Sequence, residues 1–130
     1  MGRIFGIMQV DGRQCRALFD SGAKNTYVSA EAAQGLSRTH LPVPRPAGIG
    51  GRVRHAAEIC VLVGSLQGKI IEVDAYVLDE IGVDEEGHSI DILFGALAMQ
   101  KWGIRLVPEE ERLDLSHYPE EFTEFAQSPG

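Results

Sequence analysis

The chain has 130 residues, of which 44% are hydrophobic and 24% are charged, a composition typical of one soluble domain with its own core. Its apolar runs are shorter than the roughly twenty residues that a membrane span needs, and Met1-Gly2-Arg3-Ile4 leads into no secretory hydrophobic segment, so we expect a cytoplasmic protein. The net charge of -7 lacks the basic field that binds nucleic-acid backbones. Nucleic acid and membrane are therefore not expected partners.

Charge distribution and cysteine content set two further limits. Residues 1–70 carry nine Lys or Arg against four Asp or Glu, whereas residues 71–130 carry three against fifteen, so a basic half precedes an acidic half. The two cysteines, Cys15 and Cys60, lie far apart in apolar surroundings. This pattern is typical of reduced core thiols rather than of a disulfide framework or a metal site.

The chain begins with a predicted β-hairpin. Residues 3–10 and 14–20 are expected to be strands, and Asp11-Gly12 between them readily adopts the positive φ angles of a tight turn. Residues 25–28 predict a further short strand. Residues 29–34 predict one or two helical turns, which begin at a serine cap and end before a glycine.

A cluster of breaker residues follows. Residues 41–51, with the sequence LPVPRPAGIGG, contain three prolines and three glycines. Such a composition is typical of a linker or of a projecting loop. We favour the projecting loop, because the flanking segments are too short to be separate domains and residues 52–64 continue as a strand.

A second long hairpin is predicted after this loop. Residues 52–64 and 69–78 form its strands, and residues 65–68 form its turn. One face of the first strand consists of Ala57, Ile59, Val61 and Val63. One face of the second strand consists of Ile71, Val73, Ala75 and Val77. Residues 79–89 then predict an acidic loop.

The last regular elements are short. Residues 90–94 predict an apolar strand, and residues 96–102 predict a helix of good helix formers between two glycines, before two final strands. The elements are mainly β with one short C-terminal helix, which favours a small closed or partly closed barrel. We expect one domain over residues 1–116 and an acidic tail over residues 117–130, with the last ten residues mobile.

Several kinds of site are excluded by residue spacing. The segment Gly48-Ile49-Gly50-Gly51 lacks the third glycine of a dinucleotide fingerprint, and Gly68-Lys69 precedes an isoleucine instead of the hydroxyl residue of a phosphate loop. The four histidines are scattered without metal-ligand spacing. We therefore expect no metal and no cofactor.

One segment carries a chemically suggestive carboxylate. Asp20 ends an apolar strand, where neighbouring side chains oppose ionisation, and Ser21-Gly22-Ala23 follows as a turn of small residues with room for a substrate backbone. Taken alone, Asp-Ser-Gly is also common turn chemistry. The choice between these two interpretations depends on the other motifs of the chain.

Three motifs together resemble those of the retropepsin-like aspartic proteases. Leu18-Phe19-Asp20-Ser21-Gly22-Ala23, followed by a short strand, resembles the signature of that family. Gly48-Ile49-Gly50-Gly51-Arg52-Val53 resembles its glycine-rich flap. Ile92-Leu93-Phe94-Gly95 and the helix after it resemble the element near its end. The motifs stand in the family's order over roughly residues 4–116, and the resemblance implies a small retropepsin-like acid protease barrel.

The resemblance also implies a role for each matching residue. Asp20 is the expected catalytic residue, which binds and activates the lytic water, and the Ser21 hydroxyl braces that carboxylate. Gly22 presents its carbonyl to the substrate backbone, and Ala23 lines the cleft. The flap residues expected to close over an extended peptide are Ile49, Gly50 and Gly51. The alternative for this segment is a plain Pro/Gly turn.

The number of Asp-Ser-Gly motifs bears on the assembly. Peptide hydrolysis by carboxylates needs two of them, because two carboxylates about 3 Å apart share one proton and act together as base and acid. The chain contains one such motif, so the second carboxylate must be Asp20 of another copy across a two-fold axis. We expect an aspartic endopeptidase that acts on a protein or peptide substrate as a homodimer.

Two further features qualify this expectation. Relatives often have a charged or polar residue after the glycine of the last motif, where it helps to fix the dimer interface, whereas Ala96-Leu97-Ala98 is apolar here. The alternative function is a non-catalytic dimerisation or peptide-binding module of the same fold.

The flap motif also has basic residues in and around it, namely Arg45, Arg52, Arg54 and His55. They predict a preference for acidic residues around the cut.

Overall fold

The computed structural model describes residues 2–124. In chain order its elements are β1 (Arg3–Val10), β2 (Arg13–Asp20), β3 (Thr26–Ser29), β4 (Arg38–Ile49), β5 (Arg52–Leu66), β6 (Lys69–Leu78), β7 (Ile92–Phe94), α1 (Ala96–Trp102), β8 (Arg105–Val107), a 3-10 turn (Pro108–Glu110) and β9 (Arg112–Asp114). The predicted strands and the predicted C-terminal helix are all present, with ends that differ by at most a few residues.

Most of the strands close into a barrel. Seven strands form one sheet in the order β1-β2-β7-β3-β6-β5-β4, and a further pairing of β1 with β5 closes six of them into a ring. β4 lies outside this ring as an edge strand on β5, and β8 pairs with β9 in a separate small sheet. This architecture confirms the predicted small closed β-barrel with one short C-terminal helix.

The barrel interior is filled from all six strands of the ring. Its largest fully buried side chains are Phe19, Phe94, Met8, Leu62, Leu66, Ile71, Ile92, Val10 and Val28. The β6 face that contains Ile71 and Ala75 points into the barrel. The β5 face that contains Val61 and Val63 points outward, since these side chains are 53% and 51% exposed while Cys60 and Leu62 are buried. Both faces of β5 are apolar, so alternation alone does not identify the inner one.

Residues 41–49 belong to strand β4 and residues 50–51 form the turn after it, so the segment projects as predicted but as a strand hairpin instead of a loop. The pairing of β4 with β5 is interrupted between His40 and Arg45, and Pro42 and Pro44 fall within this interruption. Proline is compatible with an edge strand because its missing N–H breaks no ladder of the closed ring. Residues 45–56 pair only within this hairpin and project from the ring, and we call them the flap.

Residues 29–34 form hydrogen-bonded turns instead of the predicted helical turns. The Ser29 hydroxyl accepts a hydrogen bond from the Ala32 amide at 3.2 Å, as a helix cap does, and the Ala33 amide donates to the Ser29 carbonyl at 2.9 Å. The next bond joins Gln34 to Glu31, which is one residue shorter than an α-helical bond. A single α-helical hydrogen bond does not propagate into a helix.

The segment after β9 packs back on the barrel. Trp102 of α1 is buried, and its indole N–H donates to the Glu72 carbonyl at 2.8 Å. The Tyr118 ring stacks on Trp102 at 5.7 Å, and the Phe122 ring meets it edge-on at 5.4 Å. The predicted mobile end covers residues 121–130, and most of it lies outside the described residues.

Two further features of the fold are the apolarity of its helices and the state of its cysteines. Within residues 2–124, no helix has the length and apolarity needed to cross a bilayer. Cys15 and Cys60 are buried and free, as predicted, and burial raises the pKa of both thiols.

Candidate active site

Asp20 lies where β2 leaves the barrel. The three residues before it are buried, so the strand carries the carboxylate from the core to the rim, where the side chain is 14% exposed. The Gly22 amide donates to Asp20 Oδ1 at 2.8 Å, and the Ala23 amide donates to the Asp20 carbonyl at 3.1 Å. These bonds close a tight turn and fix the orientation of the carboxylate.

Two residues at the start of the chain contact this turn. The Ser21 hydroxyl lies 3.3 Å from the Gly2 amide and 3.4 Å from the Gly2 carbonyl, whereas the resemblance implies a bond to the Asp20 carboxylate. Arg3 contacts that carboxylate instead, with Nε 3.4 Å from Asp20 Oδ2. The register of β1 against β2 places Arg3 opposite Asp20. The first strand therefore supplies neighbours of Asp20 that the motif alone does not reveal.

Strand β7 and helix α1 support the turn from behind. β7 runs parallel to β2 with Phe94 opposite Phe19, and the two rings are 4.8 Å apart. At the start of α1, the Ala96 amide donates to the Ala23 carbonyl at 2.6 Å. The last sequence motif is therefore placed directly against the Asp-Ser-Gly motif.

Gly95 and Thr26 complete this support. The Thr26 hydroxyl is buried and accepts a hydrogen bond from the Gly95 amide at 3.1 Å. A Cβ atom at Gly95 would overlap the Asn25 carbonyl, so this position has room for glycine alone. The sequence gives no local signal for the role of Thr26, because a threonine in a short strand is ordinary.

The flap tip is a two-residue turn above the cavity. Ile49 pairs with Arg52, which leaves Gly50 and Gly51 as the turn, with φ angles of 59° and 78°. Positive φ at both central residues is the geometry that glycine favours in a tight hairpin. Ile49 packs against a buried apolar cluster that consists of Leu18, Ile81, Ile90 and Leu93.

The Asp20 turn and the flap tip border one cavity of about 700 Å³. This volume lies within the range of small-molecule and peptide sites. Five of the predicted site residues line the cavity, namely Asp20, Gly22, Ala23, Ile49 and Gly50. Ser21 and Gly51 adjoin these residues in the chain but do not line the cavity.

The cavity also has charged walls. Its basic lining residues are Arg3, Lys24, Arg52 and Arg54. Among the described residues that line it, Asp20 is the only carboxylate. The sequence indicated Arg52 and Arg54 through their position near the flap, but Arg3 and Lys24 reach the cavity through strand register and turn geometry. Residues 2–124 contain no group of three or more His, Cys, Asp or Glu side chains placed to hold a metal ion.

One wall belongs to the predicted acidic loop, residues 79–89, which Asp84 holds in place. Asp84 Oδ1 accepts hydrogen bonds from the Glu86 and His88 amides, both at 2.9 Å, and Arg16 Nη2 lies 2.6 Å from Oδ2. Burial opposes ionisation of Asp84, but the two amides and Arg16 outweigh it and hold the pKa of this carboxyl below its ordinary value. The ionised side chain therefore anchors the loop to β2.

Comparison with known families identifies the protein's family. Residues 7–97 match the family of aspartyl proteases. The match covers most of the chain and includes Asp20 and the flap, so the protein belongs to the aspartyl protease family. No curated protein sequence matches the chain significantly.

Solved structures show the same fold. The retroviral protease-like domain of Ddi1 from Leishmania major superposes with a TM-score of 0.60 at 17% identity, covering 89% of this chain and 90% of that one. The EIAV protease, complexed with the inhibitor HBY-793, gives 0.58 at 18% identity and covers 82% and 93%. The foamy viral protease-reverse transcriptase gives 0.57 at 8% identity and covers 82% and 12%. These likenesses confirm the retropepsin-like fold that the three motifs predicted.

Proposed function

We propose that the protein is an aspartic endopeptidase that hydrolyses extended protein segments as a homodimer. The observation that carries this proposal is the position of Asp20 in a cavity covered by the flap tip at Ile49 and Gly50, in a chain of the aspartyl protease family. A carboxylate at a covered groove can activate water beside a bound peptide while bulk solvent is excluded.

Catalysis requires a second carboxylate. The sequence contains no second Asp-Ser-Gly or Asp-Thr-Gly segment, so the partner group in this proposal is Asp20 of a second copy related by a two-fold axis. Two carboxylates about 3 Å apart share one proton. The pair takes a proton from the attacking water and gives one to the leaving nitrogen.

The other predicted site residues bind substrate in this proposal. Gly22 offers its carbonyl to the peptide backbone, and Ala23 leaves room beside Asp20. Ile49 and Gly50 cover the bound peptide, and the Gly50-Gly51 turn allows the close approach of the two backbones. The contact of Ser21 with Gly2 fastens the turn to the first strand.

A non-catalytic dimerisation or peptide-binding module is the second candidate. It is favoured by the Arg3–Asp20 ion pair, with Nε 3.4 Å from Oδ2, because the carboxylate already has a cationic partner within the same chain. In this alternative the cleft holds an extended strand by backbone pairing.

The substitution Asp20→Asn tests the catalytic proposal. We expect the variant to keep its circular dichroism spectrum and to lose about a thousandfold or more in cleavage rate on a peptide library, because the shared proton is lost. Asp11→Asn, in the exposed turn between β1 and β2, is the matched control and should cleave like the wild type. Unchanged cleavage by Asp20→Asn would show that the catalytic assignment is wrong.

Sedimentation tests the assembly and separates the two candidates. A hydroxyl-containing mimic of the tetrahedral intermediate should shift the wild-type protein toward the dimer, because it bridges the two carboxylates. Asp20→Asn should show a much smaller shift. Peptide binding without cleavage, equal in the wild type and in Asp20→Asn, would favour the binding module.

A further inference from the structure

The cavity beside Asp20 combines an apolar floor with a basic rim. The floor is the buried cluster of Leu18, Ile81, Ile90 and Leu93, which Ile49 covers from the flap. Four cationic side chains surround this floor, whereas Asp20 is the one carboxylate among the described lining residues. All four cations come from the basic half of the chain. The side chains that line the cavity therefore carry a net charge of the opposite sign to that of the whole protein.

The cations differ in how far their charge is already balanced. Arg3 contacts the Asp20 carboxylate at 3.4 Å, and Arg54 Nη1 donates to the Glu80 carbonyl at 2.8 Å. Lys24 and Arg52 make no side-chain hydrogen bond or ion pair with any of the described residues. Arg52 on the flap and Lys24 after the Asp20 turn are therefore available to an anionic ligand.

Arg54 has a donor that the protein leaves unused. Its side chain is 21% exposed, and its Nε atom is buried without a hydrogen-bond partner in the described part of the chain. The Glu80 carboxylate lies 4.0 Å from Nη1 but is 76% exposed, so water screens this pair. A buried donor without an acceptor is unfavourable. The exposed part of the Arg54 side chain lines the cavity, where a ligand carboxylate can bind it.

Strand register determines which basic residues of the flap face the cavity. Arg52 and Arg54 are two residues apart on β5, so their side chains share a face with Ile49, the partner of Arg52 on β4. His55 alternates to the other face, and Arg45 lies farther from the tip. Neither of the last two lines the cavity. Of the four basic residues that the sequence indicated, only Arg52 and Arg54 therefore line the cavity.

We propose that this cavity selects extended peptides in which an apolar residue is flanked by Asp or Glu, and that Arg52 and Arg54 determine this selectivity. The apolar side chain lies between the floor and Ile49, and the arginines bind the flanking carboxylates. This inference rests on the proposed function for the site of cleavage, but it concerns peptide binding and is testable without cleavage.

The test uses the Asp20→Asn protein as a binding protein that does not consume its ligand. Its fluorescent probes are the peptide Glu-Glu-Ala-Leu-Phe-Ala-Glu-Glu and the same peptide with Gln at every Glu. We expect anisotropy titrations to show about tenfold tighter binding of the acidic peptide at low salt, and a smaller ratio at high salt. Equal affinities for the two peptides at low salt would overturn the proposal.

Three variants in the same background locate the effect. Arg52→Gln should lower the affinity ratio of the two peptides by about threefold, and the double variant with Arg54→Gln should bring it close to one. Arg54→Gln alone can disturb the flap through Glu80, but Arg52 has no such contact with a described residue. Arg45→Gln removes the same charge outside the cavity, where its guanidinium lies 6.0 Å from the Tyr76 ring, and should keep the ratio. An equal loss with Arg45→Gln would overturn the assignment to Arg52 and Arg54.

Wild-type cleavage separates this proposal from the proposed function. Cleavage that depends on Asp20 but proceeds with the same kcat/KM on both peptides, together with equal binding, would refute the acidic selectivity and leave the endopeptidase standing. Selective binding that depends on Arg52, without any cleavage by the wild type, would support the selectivity and refute the endopeptidase.

Discussion

The two turns that border the cavity are built in opposite ways. The turn after Asp20 is held by a hydrogen bond that its own carboxylate accepts and by one that the start of α1 donates, against buried side chains of β2 and β7. The flap turn at Gly50-Gly51 pairs only within its hairpin, and a Cβ atom at either glycine would meet no other atom within 4 Å. Val53, next to this turn, is 68% exposed.

The difference separates two reasons for a glycine. Gly95 is required because the neighbouring backbone leaves no room for a side chain. Gly50 and Gly51 are favoured because of their own positive φ angles, in open space. The first kind of glycine belongs to a fixed wall that positions the carboxylate, and the second kind belongs to a cover that is able to move.

Of the substitutions that test this difference, that of Gly95 is expected to have the largest effect on the free energy of unfolding. In Gly95→Ala the new methyl group collides with the Asn25 carbonyl, and the turn after Asp20 has to move. We expect the free energy of unfolding to fall by about 3 kcal/mol, measured by urea denaturation. Gly48→Ala is the control, because a Cβ there meets no atom within 4 Å, and its unfolding should change by about 0.5 kcal/mol or less. Equal stability of the two variants would mean that the wall is not rigid.

Loss of the Thr26 hydroxyl is the second largest effect. Thr26→Val keeps the shape of the side chain but leaves the Gly95 amide without its acceptor at a buried site. The expected decrease in unfolding free energy is about 2 kcal/mol. Thr39→Val on the exposed edge strand is the matched control and should change stability little. Thermal unfolding of the two variants decides the point, and equal decreases would exclude a special role for the buried hydroxyl.

The sequence predicts those parts of the fold that local patterns determine. Alternation and turn residues locate the hairpin of β1 and β2, and the glycine-bounded run locates α1. The strand conformation of residues 41–49 is not predictable from local sequence, because proline breaks a central strand but not an edge strand, and only the order of strands in the sheet shows that β4 is an edge strand. The inner face of β5 depends in the same way on its neighbours.

The residues of the candidate site are likewise of two kinds, those that local motifs predict and those that only the fold brings together. A motif of adjacent residues is sufficient to predict that Asp20, Gly22 and Ala23 belong to one turn, and the flap motif predicts Ile49 and Gly50. The basic rim and the apolar floor are brought together by the register of β1, the path of the acidic loop and the parallel pairing of β2 with β7. These are contacts between residues distant in sequence, which a local pattern does not contain.

The smallest change in stability is expected for substitutions of Gly51 in the flap. Gly51→Ala places a side chain at a φ of 78°, which costs about 1 kcal/mol in the left-handed region, and Gly51→Asn costs less because asparagine tolerates that conformation. The strand pairing of the flap lies within its own hairpin, and its other contacts include the packing of Ile49 and the hydrogen bond of Arg54 to Glu80, so we expect this cost to appear as local opening. Hydrogen exchange of flap amides should accelerate about fivefold in Gly51→Ala, while exchange on β6 stays unchanged. If both regions accelerated equally, the flap and the barrel would unfold as one unit, and the contrast between a fixed wall and a movable cover would be lost.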